Sequence, residues 1–83
     1  MEEDLIQYIA ENLVNDPEKV SVQKNKKGRN IILELNVASD DMGRVIGKSG
    51  RVANAMRALL RASDRRRGRG RIILEIEYIN GAF

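Results

Sequence analysis

Two segments in which apolar and polar residues alternate place the strongest constraint on how this chain can fold. Residues 30–37 read NIILELNV and residues 71–79 read RIILEIEYI. Side chains on a strand point alternately to its two faces, so each segment predicts a β-strand with one face directed at a core. The predicted core-facing residues are Ile31, Leu33, Leu35, Val37, Ile72, Leu74, Ile76 and Tyr78.

The segments before residue 30 predict a helix and a further strand. Apolar residues recur at helical spacing over residues 3–14, and Pro17 ends that helix because proline disfavours helical geometry in the residue before it. Residues 19–25 alternate again, and KKGR at 26–29 offers Gly28 for a turn with positive φ. Residues 19–37 therefore predict a β-hairpin.

The stretch between the two main strands predicts a pair of helices. We expect a short helix over about 41–46, capped by Ser39 or Asp40, and a second over residues 51–62. The predicted apolar stripe of the second helix is Val52, Ala55, Met56, Leu59 and Leu60.

The resulting order is α-β-β-α-α-β, which predicts an α+β fold and a single domain over residues 1–83. A two-helix crossover suits a parallel pair of strands, and the hairpin adds an antiparallel neighbour. We therefore expect a three-stranded mixed sheet with three helices on one face.

The charge of the chain is distributed unevenly. Residues 1–18 carry a net charge of −6, residues 19–71 carry +11 and residues 72–83 carry −2. A basic segment of this strength is typical of a protein that binds a polyanion, and nucleic acid is the leading candidate.

Several other classes of protein are disfavoured by composition. Cysteine and histidine are absent, so the common nucleophile, general base and soft metal ligands are missing, and we expect no enzyme activity, cofactor or metal. The acidic N-terminus does not resemble a signal peptide, and the apolar runs are too short to cross a membrane. These features predict a cytoplasmic protein with neither a membrane partner nor a small-molecule substrate.

The stretch GRVIGKSGR at 43–51 is compatible with two kinds of phosphate site. A nucleotide-binding loop needs glycine five residues before Gly47, but that position is Met42, and Gly43 is one residue too close. Helical sequence also precedes the loop, where a nucleotide-binding loop would follow a strand directly. The spacing favours the second reading, a Gly-x-x-Gly turn between two helices.

A Gly-x-x-Gly turn can hold the backbone of a nucleic acid. Gly47 and Gly50 lack a Cβ, so a sugar-phosphate chain can approach the loop closely. Lys48 adds charge at the tip and Ser49 a hydrogen-bond donor, while the helix that begins at Arg51 directs free N–H groups toward a phosphate.

The sequence VIGKSGRVANAMRALL, within the order α-β-β-α-α-β, resembles a type II KH domain. More narrowly, DDMGRVIGKSGRVANAMRALLRA resembles the small bacterial KH proteins of the KhpA family. The resemblance implies a groove for about four nucleotides of single-stranded RNA. One wall is the helix pair with its Gly-x-x-Gly loop, and the other is the final strand with the variable loop at residues 63–70 before it. The implied RNA-binding residues are Arg44, Val45, Ile46, Gly47, Lys48, Ser49, Gly50, Arg51, Arg65, Arg66, Arg67 and Arg69.

One position departs from the KH pattern. Many KH domains carry a bulky aliphatic residue three positions after the second loop glycine, where this chain has Ala53. The groove floor is therefore expected to be shallow, and aromatic residues for base stacking are absent near the loop. We expect salt-sensitive binding dominated by the backbone of the RNA.

The resemblance to KhpA also implies partners and a cellular role. Members of that family act as RNA chaperones or post-transcriptional regulators and pair with themselves and with the larger KH protein KhpB. In some bacteria they are linked to cell elongation, division and peptidoglycan homeostasis. Two alternatives stay open: a protein-interaction module that dimerises through Val52 and Met56, and a single-stranded DNA binder.

Overall fold

The computed structural model describes residues 2–64 and 70–79, and it has the predicted order of elements. Short 3₁₀ turns at Pro17–Lys19, Ser39–Asp41 and Lys48–Gly50 join the main elements. The helices and strands are α1 (Glu2–Leu13), β1 (Ser21–Lys27), β2 (Asn30–Ala38), α2 (Met42–Ile46), α3 (Arg51–Ser63) and β3 (Ile72–Ile79).

The three strands form one mixed sheet in the order β1-β2-β3. β1 and β2 are antiparallel and meet at a tight turn, where Lys27 lies opposite Asn30 and Gly28 has a φ of 62°. β2 and β3 are parallel, with Leu35 beside Ile76. The mixed α+β architecture is confirmed, although β1 begins and ends two residues later than expected because Lys19 belongs to a 3₁₀ turn.

The core lies between one face of the sheet and the three helices. Every second residue of β2, from Ile31 to Val37, is buried as predicted. The helices cover this face with side chains that are fully or almost fully buried. These are Ile6 and Ala10 from α1, Val45 from α2, and Ala53, Met56 and Leu60 from α3. Burial of one large aliphatic side chain contributes about 1.5–3 kcal/mol to the stability of the fold.

The buried stripe of α3 differs from the prediction. Ala53, Met56 and Leu60 are buried, whereas Ala55 and Leu59 are exposed, Leu59 by 47%. Both sets follow helical spacing, so the sequence pattern alone could not show which set faces the sheet. Tyr78 follows the core-facing alternation of β3 but stays 56% exposed near the end of an edge strand.

Asp41 replaces the predicted helix cap with a different interaction. Neither the 3₁₀ turn before α2 nor α2 itself has a side-chain cap, so the prediction for Ser39 and Asp40 is wrong. The buried Asp41 carboxylate accepts hydrogen bonds from the backbone N–H groups of Asn15 and Asp16, both at 3.1 Å. These bonds fasten the start of α2 to the segment that follows α1.

Within residues 2–64 and 70–79, no helix has the length and apolar character needed to cross a bilayer.

Candidate nucleic-acid interface

The Gly-x-x-Gly loop is built from backbone conformations that side chains disfavour. Gly47, Ser49 and Gly50 have φ values of 78°, 57° and 77°. Positive φ is readily available to glycine, but costs other residues about 1–2 kcal/mol. The Gly50 N–H donates to the Gly47 carbonyl at 3.1 Å, which closes the turn into one compact corner between α2 and α3.

The two glycines are required for different reasons. A Cβ on Gly47 would lie 2.6 Å from Cγ2 of Val52, which is too close for two carbon atoms that are not bonded to each other. A Cβ on Gly50 would meet nothing nearer than Asn54, at 3.7 Å, so only its positive φ demands glycine. Because Gly47 has no side chain, Val52 packs directly against its backbone, and this contact holds the loop close to the first turn of α3.

The tip of the loop presents the groups expected of a phosphate site. Lys48 and Ser49 are exposed, and among the described residues no carboxylate pairs with Lys48. α3 begins immediately afterwards at Arg51 and runs for 13 residues, so its first N–H groups and the positive end of its dipole lie beside the tip. The Arg51 N–H itself donates to the Lys48 carbonyl, so the tip groups an exposed amine, an exposed hydroxyl and the positive end of the α3 dipole.

Arg44 and Arg51 flank the loop in different ways. The Arg44 Nε donates to the Asp41 carboxylate at 3.2 Å, while its side chain stays 48% exposed. Arg51 is exposed at the first position of α3. The backbone N–H of Asn15, with smaller contributions from Asp16 and Arg44, holds the pKa of the Asp41 carboxyl below its usual 3.8, although burial acts in the opposite direction. Asp41 is therefore ionised at neutral pH and holds Arg44 beside the loop.

Three residues assigned to surface contacts or to the groove floor lie in the core. Val45 is fully buried and Met56 is 1% exposed, so neither offers a surface to RNA or to a partner. Both belong to the helix faces that pack on the sheet. Ala53 is also buried, whereas Ile46 is half-buried and still borders the loop. The depth of the groove at Ala53 stays a prediction.

Arg57 becomes a candidate for the site through its contacts in the structure. Its Nη2 donates to the Leu74 carbonyl at 3.2 Å, and its Nη1 donates to Asn54 at 3.3 Å. β3 is an edge strand of the sheet, so Arg57 places a guanidinium between α3 and that edge. This is the space where the implied groove runs. In the sequence, Arg57 is indistinguishable from an arginine that merely solvates a helix.

The four arginines predicted for the variable loop, Arg65, Arg66, Arg67 and Arg69, lie outside the described residues. Arg71, the second residue after Arg69, is described and makes two backbone hydrogen bonds. The Arg71 N–H donates to Asn30 Oδ1 at 2.9 Å, and the Arg71 carbonyl accepts from the Ile31 N–H at 2.8 Å. The end of this loop is therefore bonded to the β1–β2 hairpin.

The face of the sheet away from the helices has an acidic region, in contrast to the basic Gly-x-x-Gly loop. Carboxylate oxygens of Glu34, Glu75 and Glu77 lie within 4.8 Å of one another there. Three carboxylates this close repel a polyanion. The region around them is thus unsuited to RNA, whereas the loop on the helical side is suited to it.

Comparison with known proteins gives two kinds of match. The family model described as KhpA/KhpB, KH domain, matches residues 3–76. A protein named RNA-binding protein KhpA from Treponema pallidum is 56% identical over 63 residues, which cover 76% of this chain and 79% of the relative. A protein of the same name from Caldanaerobacter subterraneus is 44% identical over 73 residues, covering 88% and 96% of the two chains.

A solved structure shares the fold at low sequence identity. A variant of Era from Aquifex aeolicus, crystallised with GDP and AlF4−, matches with a TM-score of 0.63 and 13% identity. The match covers 96% of this chain but 31% of the Era chain. At this identity the likeness concerns the fold alone.

Proposed function

Because this chain belongs to the KhpA/KhpB KH-domain family, we propose that it binds single-stranded RNA through the Gly-x-x-Gly loop. The family is non-enzymatic, and the relatives are named RNA-binding proteins. The observation that carries the proposal is the exposed tip of Lys48 and Ser49, which the positive φ angles of Gly47, Ser49 and Gly50 hold at the start of α3.

Each group of the loop has a distinct role in this proposal. Lys48 neutralises a phosphate, Ser49 donates a hydrogen bond, and the N–H groups of the first turn of α3 bind the phosphate oxygens. Arg44 and Arg51 supply further charge on either side of the tip. Contacts of this kind recognise the backbone rather than the bases, so affinity falls steeply with salt.

The decisive test replaces Lys48 and Ser49 with aspartate. Two negative charges then occupy the phosphate site, while Asp tolerates the positive φ of Ser49 better than most residues. The matched control is Lys19→Asp with Ser21→Asp, which changes the net charge equally at two exposed positions distant in sequence from the loop. We expect RNA affinity to fall at least 100-fold in the loop variant alone, with both variants folded. Unchanged RNA binding by the folded loop variant would refute the proposal.

RNA is proposed over single-stranded DNA because of the names of the relatives. A competition experiment with RNA and DNA of equal length and equivalent sequence separates the two, since the 2′-hydroxyl is the group that distinguishes them. We expect DNA to compete less effectively. Equal competition would favour the DNA alternative.

A second candidate function, dimerisation, is favoured by an exposed apolar stripe on α3. Ala55, Leu59 and Ala62 are exposed and Val52 is half-buried, at spacings of three and four residues that place them on one side of the helix. We propose this stripe as the contact with a second copy or with a larger KhpB-type protein. Leu59 takes the place of the buried Met56 in this contact. Leu59→Asp should leave the domain folded and abolish self-association in sedimentation; an unchanged mass distribution would contradict this role.

We also propose that the protein acts in the cytoplasm as an RNA chaperone or post-transcriptional regulator that affects cell elongation, division and peptidoglycan homeostasis. Family resemblance supports this role. Cells carrying the Lys48→Asp, Ser49→Asp variant should reproduce the cell-length and cell-wall changes of a deletion strain. Normal cells at normal protein levels would argue against the role.

A further inference from the structure

The sheet face that points away from the helices, which we call the outer face, has its side chains arranged in cross-strand rows. Lys24 reaches Glu2 of α1, so the residues that alternate with Lys24 along β1 lie on the outer face. Starting at the β1–β2 turn, the successive rows are Lys27, Asn30 and Arg71; Asn25, Ile32 and Ile73; Gln23, Glu34 and Glu75; and Ser21, Asn36 and Glu77.

Arg71 belongs to the first row although it precedes β3 by one residue. Its carbonyl accepts a hydrogen bond from the Ile31 N–H at 2.8 Å, which continues the ladder between β2 and β3. Ile72 packs against the core, so continued alternation places Arg71 on the outer face beside Asn30. By the same alternation Lys26, the neighbour of Lys27, lies on the helical face.

The rows of the outer face differ in chemical character. We name the first three by that character: the basic row with Lys27 and Arg71, the apolar row with Ile32 and Ile73, and the acidic row with Glu34 and Glu75. Along each strand the apolar row lies two residues from the basic row and two residues from the acidic row. The basic and acidic rows are therefore equally far from the isoleucines, at about 7 Å on either side.

The charges on the outer face are not neutralised within the described part of the chain. Across residues 2–64 and 70–79, neither Lys27 nor Arg71 forms an ion pair. The glutamates form none either, and carboxylate oxygens of Glu34, Glu75 and Glu77 lie within 4.8 Å of one another, where they repel. A cation brought by a binding partner would relieve this repulsion.

We propose that the outer face binds the outer face of a second copy of the chain. The two-fold axis lies between the two sheets, along the apolar row, so that each row meets the row equally far on the other side. Arg71 of one copy then lies over Glu75 of the other, and Lys27 lies diagonally opposite Glu34. The isoleucines of the two copies meet at the centre, and symmetry forms each charged contact twice.

The arrangement of the charges selects this partner and this axis. A basic peptide would neutralise the acidic row but would leave Lys27 and Arg71 without partners. An axis parallel to the strands would exchange β1 with β3 and place Lys27 over Arg71, which repel. Only the axis along the apolar row lets one surface supply both the cations and the carboxylates that it needs.

The size of the outer face determines how strong the contact is. Three strands about 4.8 Å apart and four rows about 7 Å apart give a footprint on the order of 300–400 Å² per copy. A stable complex buries about 800 Å² per partner, so we expect a transient, salt-sensitive contact. Two copies on one RNA, or two copies joined through α3, raise the local concentration enough to populate it. The Gly-x-x-Gly loops lie in the helical layer and stay free.

The test uses the full chain with Leu59→Asp, which removes the proposed α3 contact, in the absence of RNA. A contact this weak escapes sedimentation at micromolar concentration. Amide chemical shifts are therefore followed by NMR between about 20 μM and about 1 mM, in low salt with EDTA. EDTA prevents a divalent cation from bridging glutamates of two copies. We expect concentration-dependent shifts at Ile32, Ile73 and Glu75, constant shifts along α3, and weaker association at high salt.

Charge reversal tests the pairing of the rows directly. Lys27→Glu with Arg71→Glu makes the basic row acidic, and Glu34→Lys with Glu75→Lys makes the acidic row basic. Each variant alone should associate at least about tenfold more weakly, because like charges then face each other. A mixture of the two should regain the parent affinity within about threefold, since every reversed row meets a row of opposite charge.

Lys26→Glu and Lys27→Glu form a matched pair of single variants, because they change the charge equally at neighbouring residues on opposite faces of the sheet. We expect Lys27→Glu to weaken association and Lys26→Glu to leave it within about twofold of the parent. Thermal unfolding establishes that every variant is folded.

Three results would overturn the proposal: shifts on the outer face that do not depend on concentration, equal losses in Lys26→Glu and Lys27→Glu, or a mixture of the reversed variants that associates no better than either alone. Because RNA is absent from the experiment, none of these results bears on the proposed function of the Gly-x-x-Gly loop.

Discussion

Gly47 and Val52 pack so closely that the Val52 side chain occupies the space where any other residue at position 47 would place its Cβ. The contact joins the first glycine of the loop to the second residue of α3. A glycine that sequence motifs associate with RNA contact is thus also required by the fold of the unbound protein.

We predict that Gly47→Ala distorts the loop and lowers both stability and RNA affinity. The methyl group would lie 2.6 Å from Val52 Cγ2, and alanine would have to adopt a φ of 78°. Left-handed geometry and overpacking together cost about 2–4 kcal/mol. Urea denaturation measures the free energy of unfolding, and anisotropy measures RNA binding. Gly43→Ala is the control because Gly43 is helical with open space around it, and this change should stabilise α2 by about 0.5–1 kcal/mol. Equal stability of the two variants would contradict the packing argument.

We predict that Asp41→Asn lowers the melting temperature by at least about 5 °C at neutral pH, since a carboxylate oxygen that accepts backbone hydrogen bonds is replaced by an amide donor. The folded-state pKa of Asp41 is depressed, so its stabilising effect is complete above its usual pKa of 3.8 and is lost as pH falls through the lower folded value. The difference between wild type and variant should therefore shrink below about pH 4. Asp40→Asn is the control, because Asp40 is exposed. A difference that is independent of pH would exclude the carboxylate as its source.

The fold was predictable where each pattern has one structural solution. The alternation of β2 fixes which face is buried, because a shift of one residue would expose every core side chain from Ile31 to Val37. The crossover through two helices likewise fixes a parallel partner for β2. On α3 two apolar stripes follow the same helical spacing, and only packing against the sheet selects Ala53, Met56 and Leu60.

The candidate site was predictable in its loop and less so in its surroundings. The Gly-x-x-Gly spacing located Lys48 and Ser49 at an exposed tip. The hydrogen bond from Asn15 to Asp41 spans 26 positions of the sequence, and the one from Arg57 to Leu74 spans 17. No local pattern encodes such contacts, because they depend on how separate elements pack.

We predict that Gly70→Ala destabilises the domain more than Gly28→Ala does. Both glycines have positive φ, 88° and 62°, so each substitution costs about 1–2 kcal/mol from backbone geometry. At Gly28 a methyl group would meet nothing within 4 Å, whereas at Gly70 it would collide with the Arg29 carbonyl. The additional loss at Gly70 should be about 1–3 kcal/mol in chemical denaturation. Equal losses would show that the chain moves away from the hairpin without penalty.

We predict that Arg57→Ala weakens RNA binding about threefold to tenfold and lowers the melting temperature by a few degrees, whereas Arg61→Ala changes each quantity less. Both variants remove one arginine from α3 and leave the same net charge. Arg57 bonds the Leu74 carbonyl at the edge of β3, while the Arg61 side chain is exposed and bonds none of the described residues. Position, rather than charge, therefore distinguishes them. Anisotropy at two salt concentrations and thermal unfolding measure both effects. A greater loss of RNA affinity in Arg61→Ala would place the RNA strand on the outer side of α3, away from the β3 edge.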